Sequence, residues 1–167
     1  MRRVSRFVPL VVALAWAATA SAQARPPLSE AIRNGDRPTV QRLLKQGGDV
    51  NASEGDGATA LHWAAYRDDV DTVDLLIKAG AKVNAANDLG ATPLWAASMN
   101  GSEAVVGRLL QAGADPNLAL LAGETPLMVA ARGGFAPVVS LLLAKGAKVN
   151  VAGTRGQTAL MWAVSQK

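Results

Sequence analysis

The chain contains no cysteine and a single histidine, His62, among its 167 residues. Without thiols there is no disulfide, no thiolate metal site and no cysteine nucleophile, in whatever compartment the protein works. A lone imidazole has no second histidine or thiol to share a metal with, and none of the partners a catalytic base requires. Aromatic residues make up only 4% of the chain, against 50% hydrophobic residues overall. Much of that apolar content is Ala, Leu and Val, which suits close-packed helices better than a sheet sandwich and suffices for a buried core. The length allows one ordinary domain.

A large charge excess is missing too. The formal net charge is +4, but Arg2, Arg3 and Arg6 sit in the leading stretch from Met1 to Ala24, where there is no acid. Removing these three from 17 basic residues leaves 14 against 13 acidic ones, a remainder of +1. A nearly neutral body gives little electrostatic reason to bind nucleic acid or an anionic membrane.

The basic start has its own meaning. Met1 to Arg6 is a short positive segment, and Phe7 to Ala24 carries no charge, running from Phe7-Val-Pro-Leu-Val-Val-Ala-Leu-Ala-Trp-Ala into Ala20-Ser-Ala-Gln-Ala24. This is the layout of a cleaved secretory signal, with small-x-small sites after Ala22 and after Ala24. A buried helix and an uncleaved anchor are the competing readings. The apolar stretch is short for a membrane span, and Pro9 interrupts it. Arg2-Arg3 would suit twin-arginine export, but Val4-Ser5-Arg6 fits that pattern poorly. The expectation is an exported protein, periplasmic or secreted.

What the rest of the chain has in abundance is repetition. Gly57, Gly90, Gly123 and Gly156 are evenly spaced by 33, and Thr59, Thr92, Thr125, Thr158 and Leu61, Leu94, Leu127, Leu160 keep the same interval. Gly47, Gly80, Gly113, Gly146 and Asn51, Asn84, Asn117, Asn150 form further columns. Each threonine is placed to cap a starting helix, and Pro93 and Pro126 follow at the first helical position, where a missing N–H costs nothing. The short first helix carries Leu61, Ala64, Ala65 and their equivalents, small enough for close approach of neighbours. After a turn, Asp36, Asp69 and Ser102 are placed to cap a second helix, with Pro38 and Pro137 near its start. That helix repeats one apolar face: Val40-Leu43-Leu44, Val73-Leu76-Ile77, Val106-Leu109-Leu110 and Val139-Leu142-Leu143. Gly47, Gly80, Gly113 and Gly146 end it in the left-handed conformation glycine tolerates. The unit is helix, turn, helix and projecting loop.

Gly57-Ala-Thr-Ala-Leu-His-Trp-Ala-Ala65, Lys78-Ala-Gly-Ala-Lys-Val-Asn-Ala85, Gly90-Ala-Thr-Pro-Leu94 and Gly123-Glu-Thr-Pro-Leu127 resemble the ankyrin repeat. The resemblance runs from Leu28 to the end. It implies an all-α solenoid of stacked helix–turn–helix units, with the loops as fingers and the first helices lining a concave face. The expected divisions are a signal peptide over 1–24, an N-terminal capping unit over 25–56, units over 57–89, 90–122 and 123–155, and an incomplete unit over 156–167. The capping unit lacks the Thr-Pro-Leu opening. The last unit begins with Gly156-Gln-Thr-Ala-Leu and stops at Lys167 without a second helix, so the expectation is a fragment whose natural chain continues.

No chemistry stands out. The resemblance implies that His62 braces neighbouring units, and Trp95, Met128 and Met161 occupy its register in the others. Asp68, Asp69, Asp71 and Asp74 span a turn and a helix start, where acids suit the positive end of the dipole. They lack the Asp-x-Asp-x-Asp-Gly form of a calcium loop. Gly153-Thr-Arg-Gly156 is no phosphate loop. Asn51-Ala-Ser53 and Asn100-Gly-Ser102 are formal glycosylation triplets of a kind common by chance. Trp63 and Trp162 share a register and read as packing residues. No cofactor or metal is expected, and no small-molecule substrate.

The resemblance implies that binding falls on residues that vary between units. At the inner turn these are Tyr66-Arg67, Met99-Asn100 and Arg132-Gly133. On the finger sides they include Asp56, Ala58, Asp88, Leu89, Leu121, Ala122, Glu124, Thr154 and Arg155. Tyr66, Met99 and Arg132 are side chains of the kind that anchor interfaces. The finger Leu118-Ala-Leu-Leu-Ala122 is apolar where its counterparts are mostly polar, so Leu120 and Leu121 either contact a partner or pack back on their own hairpin. The functional expectation is a non-catalytic, monomeric protein-binding module acting outside the cytoplasm. The alternative is a regulatory or targeting segment of a larger enzyme whose catalytic part lies beyond residue 167. A self-associating scaffold is a third possibility.

Overall fold

Helices of six to nine residues are too short to persist alone in water, so this chain must gain its order from stacking. The computed structural model describes residues 28–165; the expected signal segment over 1–24 and its cleavage sites lie outside them. Among the described residues there are nine helices: α1 (Leu28–Arg33), α2 (Arg37–Lys45), α3 (Ala60–Tyr66), α4 (Val70–Lys78), α5 (Pro93–Met99), α6 (Glu103–Gln111), α7 (Pro126–Arg132), α8 (Ala136–Ala144) and α9 (Ala159–Val164). The only β-type pairing among them is an isolated bridge between Ser53 and Thr59. None of these helices is long and apolar enough to cross a membrane.

The odd-numbered helices pack in series, α1 on α3, α3 on α5, α5 on α7 and α7 on α9, as one inner row. The outer helices α4, α6 and α8 form a second row behind it. Between the rows lies one continuous core built from the recurring columns. Leu61, Leu94 and Leu127 are buried, as are Ala64, Ala97, Ala130 and Leu43, Leu76, Leu109, Leu142. Each such leucine contributes on the order of 1.5–3 kcal/mol by leaving water. The columns do not bury equally along the stack. Leu160 on α9, in the register of Leu61, is 73% exposed, and Leu143 is exposed where its equivalent Leu110 is buried.

The helix starts follow the expected chemistry with exceptions. Thr92, Thr125 and Thr158 accept hydrogen bonds from the backbone N–H groups of Trp95, Met128 and Met161. Asp36 and Asp69 likewise accept from Thr39 and Thr72. Ser102 makes no such bond, contrary to expectation. In the fourth unit the register holds Phe135, which has no capping oxygen. Its ring lies instead against Gly101 and Gly133, where any Cβ would run into it. The glycines ending the outer helices adopt the left-handed backbone, as Gly80 does at φ +87°. In the inner turn that conformation falls to glycine at 35, 101 and 134 but to Asp68 (φ +56°) in the second unit.

Units are stapled by polar side chains whose recurrence the sequence displays but whose task it does not. Asn51 donates to the Gly80 carbonyl (3.1 Å) and accepts from the Lys82 N–H (2.8 Å). Asn84 does the same with Gly113 and Asp115, and Asn117 with Gly146 and Lys148. Each finger closes on itself through two backbone bonds, such as Asn87 N–H to the Ala91 carbonyl (3.0 Å) and Gly90 N–H to the Asn87 carbonyl (2.8 Å). It then donates one to its predecessor: Asp88 to Asp56, Leu121 to Leu89 and Thr154 to Ala122.

Candidate protein-binding face

Fingers and inner helices together form one face, and the stacking brings the variable positions onto it. Tyr66, Met99 and Arg132 close three successive inner helices in one register, each a single unit on from the last. Tyr66 is 51% exposed and meets Trp63 edge-on, with ring centroids 6.4 Å apart. Met99 is half-buried. Arg132 is held in place, paired with Glu124 and with its guanidinium 5.2 Å from the Trp162 ring. Arg33 stacks over Trp63 in the same manner, at 4.9 Å, and pairs with Glu54.

The remaining candidates divide by what already engages them. Asp56, Asp88, Leu89, Leu121 and Arg155 are exposed at the fingers. Arg67 donates to the Arg33 carbonyl (2.8 Å) and Asn100 to the Tyr66 carbonyl, so both brace the turn of the preceding unit. Ala58, read as a finger-side contact, is buried. The apolar finger splits: Leu121 is 78% exposed, whereas Leu118, Ala119 and Leu120 are half-buried.

Two hollows open on this face. One, of about 340 Å³, lies between α3 and α5 and is walled by Trp63, Tyr66, Trp95, Ala96 and Met99, with Asp56, Asn87 and Ala91 at the finger end. The other, about 260 Å³, lies between α7 and α9 among Glu124, Met128, Arg132, Arg155, Gln157 and Trp162. Trp63 and Trp162, read as packing residues, are half-buried at the core's edge and contribute to these walls. The first hollow went unread in the sequence. Its signal is a column, Trp63, Ala96, Val129, Trp162, in which a small residue falls between two indoles.

His62 lies under the first hollow and joins two units. Its Nδ1 accepts the Thr59 backbone N–H (3.0 Å), so the proton sits on Nε2, which donates to the Ala91 carbonyl of the next unit (2.9 Å). Burial holds its pKa below the usual 6.5, outweighing the Ala91 bond. A neutral imidazole with both nitrogens engaged has no free atom for acid–base work. On the outer face the acidic cluster is also occupied. Asp69 and Asp71 pair with Arg37 (2.8 and 3.0 Å) and Asp74 with Arg108 (3.7 Å). Burial of Asp69 works against ionisation, but hydrogen bonds from Thr72 and the Arg37 charge prevail and keep its carboxyl below the ordinary value.

A stack of helix pairs with ordered fingers, and variable side chains gathered on one face, defines a repeat solenoid. The family model described as ankyrin repeats (3 copies) matches residues 28–120 and 109–167, and the chain belongs to that family. Such repeats are in general protein–protein interaction modules and typically non-catalytic. A search of curated proteins finds none that matches.

Proposed function

We propose that this protein is a monomeric, non-catalytic binding module that works outside the cytoplasm and holds a protein partner on the face formed by its inner helices and fingers. One observation carries the reading. The apolar positions that repeat, such as Leu61, Leu94, Leu127 and Ala64, Ala97, Ala130, are buried, while Tyr66, Met99, Asp56, Asp88 and Arg155 vary between units and are half-buried or exposed. A surface freed from the framework is where a stack of this kind acquires specificity. Export rests on the leader: a basic start, an uncharged stretch and a small-x-small ending. Neither a nucleic acid nor a small-molecule substrate has a matching feature in the chain.

A cross-linking pull-down from the native extracytoplasmic fraction tests this, with the wild-type chain beside a Tyr66→Ala, Met99→Ala, Arg132→Ala variant. The expected result is a protein captured by the wild type and lost by the variant. Equal capture by both, or by neither, overturns the reading.

A further inference from the structure

The hollow between α3 and α5 is the larger of the two, about 340 Å³ against about 260 Å³, and differs from the other in one column of its lining. Trp63 and Trp162 occupy a register in which Ala96 stands between them, at the base of the hollow. With alanine in the place of that indole, the hollow measures about 340 Å³, at the low end of the roughly 300–1,000 Å³ typical of ligand pockets. That is room for one large side chain. The walls are Trp63, Tyr66, Trp95 and Met99, surfaces that favour an apolar guest.

Most of the acceptors around it are already engaged. Both His62 nitrogens are bonded within the chain. The Asn87 side-chain oxygen accepts from Leu89 and Ala91, and Asp56 accepts from the Ala58 N–H. The indole N–H groups of Trp63 and Trp95 are shielded from solvent and lack an acceptor. The lining is therefore mainly apolar, and a charge buried within it would go unpaired. The charge lies at its finger end. Asp56 and Asp88 are exposed on adjacent fingers joined by the Asp88 N–H to Asp56 carbonyl bond (3.0 Å). Among the described residues neither carboxylate is in an ion pair. Asp56 at the rim of the apolar slot, with Asp88 bonded to it from the next finger, complements a cation next to an apolar side chain.

We infer that the hollow is an anchor site for a peptide segment of the partner, receiving one large apolar side chain, aromatic or branched aliphatic, with a Lys or Arg beside it held by Asp56 and Asp88. This rests on the binding face proposed above and names the chemistry recognised there.

The test pans phage-displayed random peptides on the immobilised full chain, then measures synthetic copies of the enriched peptides by titration. Three variants are compared with wild type: Ala96→Trp, Asp56→Asn with Asp88→Asn, and the Tyr66, Met99, Arg132 triple alanine. Ala96→Trp narrows the slot with a residue the same column already carries at two other units, and its far-ultraviolet dichroism and melting curve establish that it folds. Ala96→Gly, which leaves the slot open, guards against a general effect of changing that position.

Enriched peptides sharing a large apolar residue next to Lys or Arg are expected. Their affinity should fall tenfold or more in folded Ala96→Trp, remain in Ala96→Gly, and weaken in the double asparagine variant with loss of the basic preference. Peptides that bind Ala96→Trp as well as wild type, yet lose binding in the triple alanine variant, overturn the anchor site and leave the binding face standing. Peptides indifferent to every variant, or no enrichment at all, overturn both.

Discussion

The two hollows stand at the same place on the stack, two units apart, and are built from opposite chemistry. Ala58, Tyr66, Ala91 and Ala96 around the first correspond to Glu124, Arg132, Gln157 and Trp162 around the second. In the first, the indole position is empty and the wall is aromatic. In the second, the indole is present, Arg132 lies over it, and Glu124 neutralises the arginine. The backbone around both is alike: the same finger closure, with Asn87 bonded to Ala91 and Gly153 to Gln157 at 3.0 Å each. The framework thus repeats the place of a hollow, while positions such as these four change its lining.

The largest effect separates the framework from its open end. Leu61→Ala, under the first hollow, removes a side chain with 0% exposure and should cost about 2–5 kcal/mol, read from the urea midpoint. Leu160→Ala, in the same register on α9 beside the second hollow, should stay within about 0.5 kcal/mol, since that residue is largely exposed. Equal costs would mean that the columns do not bury as described.

Next in size is His62→Met, which gives the first hollow the floor of the second, where Met128 stands. The three hydrogen bonds of the imidazole, to the Thr59 N–H, the Thr59 hydroxyl and the Ala91 carbonyl, are lost, and above pH 7 the variant should be about 1–3 kcal/mol less stable. The pH dependence changes as well. Because folding holds His62 neutral, the unfolded chain takes up the proton first as pH falls. The wild type should therefore keep this contribution above about pH 6.5 and lose it progressively below. As the chain has no other histidine, melting curves of the variant between pH 7.5 and about 5 should be flatter.

A smaller gain is expected from Asp68→Gly. Asp68 occupies the left-handed turn that Gly134 supplies beside the second hollow. Relief of the backbone cost, offset by glycine's greater freedom in the unfolded chain, should leave a net gain of about 0.5 kcal/mol. A lower melting temperature would show that the aspartate side chain contributes something glycine cannot replace.

The fold was legible because its determinants are periodic. The Thr59 column, the glycines and the Leu61 and Leu43 columns all recur at one interval, and each has a local physical task. What escaped the sequence depends on neighbours in space. Phe135 replaces a capping oxygen with packing against two glycines, a solution no capping rule anticipates. The asparagine column was visible, but its bonds run forward into the next unit, from Asn51 to Gly80 and Lys82. Leu120 and Leu121 looked alike as sequence and part company in exposure, because the neighbouring finger sets which side of the hairpin is covered. The candidate face was legible as a set of varying positions. The slot was not, since it is defined by what Ala96 fails to fill.

The most direct test of the central claim is to move one site's chemistry onto the other. In the variant Ala58→Glu, Tyr66→Arg, Ala96→Trp the first hollow takes three of those four residues of the second, and two quantities are measured together: the melting temperature and the affinity for an apolar-plus-basic peptide selected on the wild type. A melting temperature within about 5 °C of wild type, with peptide binding lost, is the predicted result. A folded variant that binds the peptide unchanged would contradict it, as would an unfolded one, since the framework would then not be independent of the positions it displays.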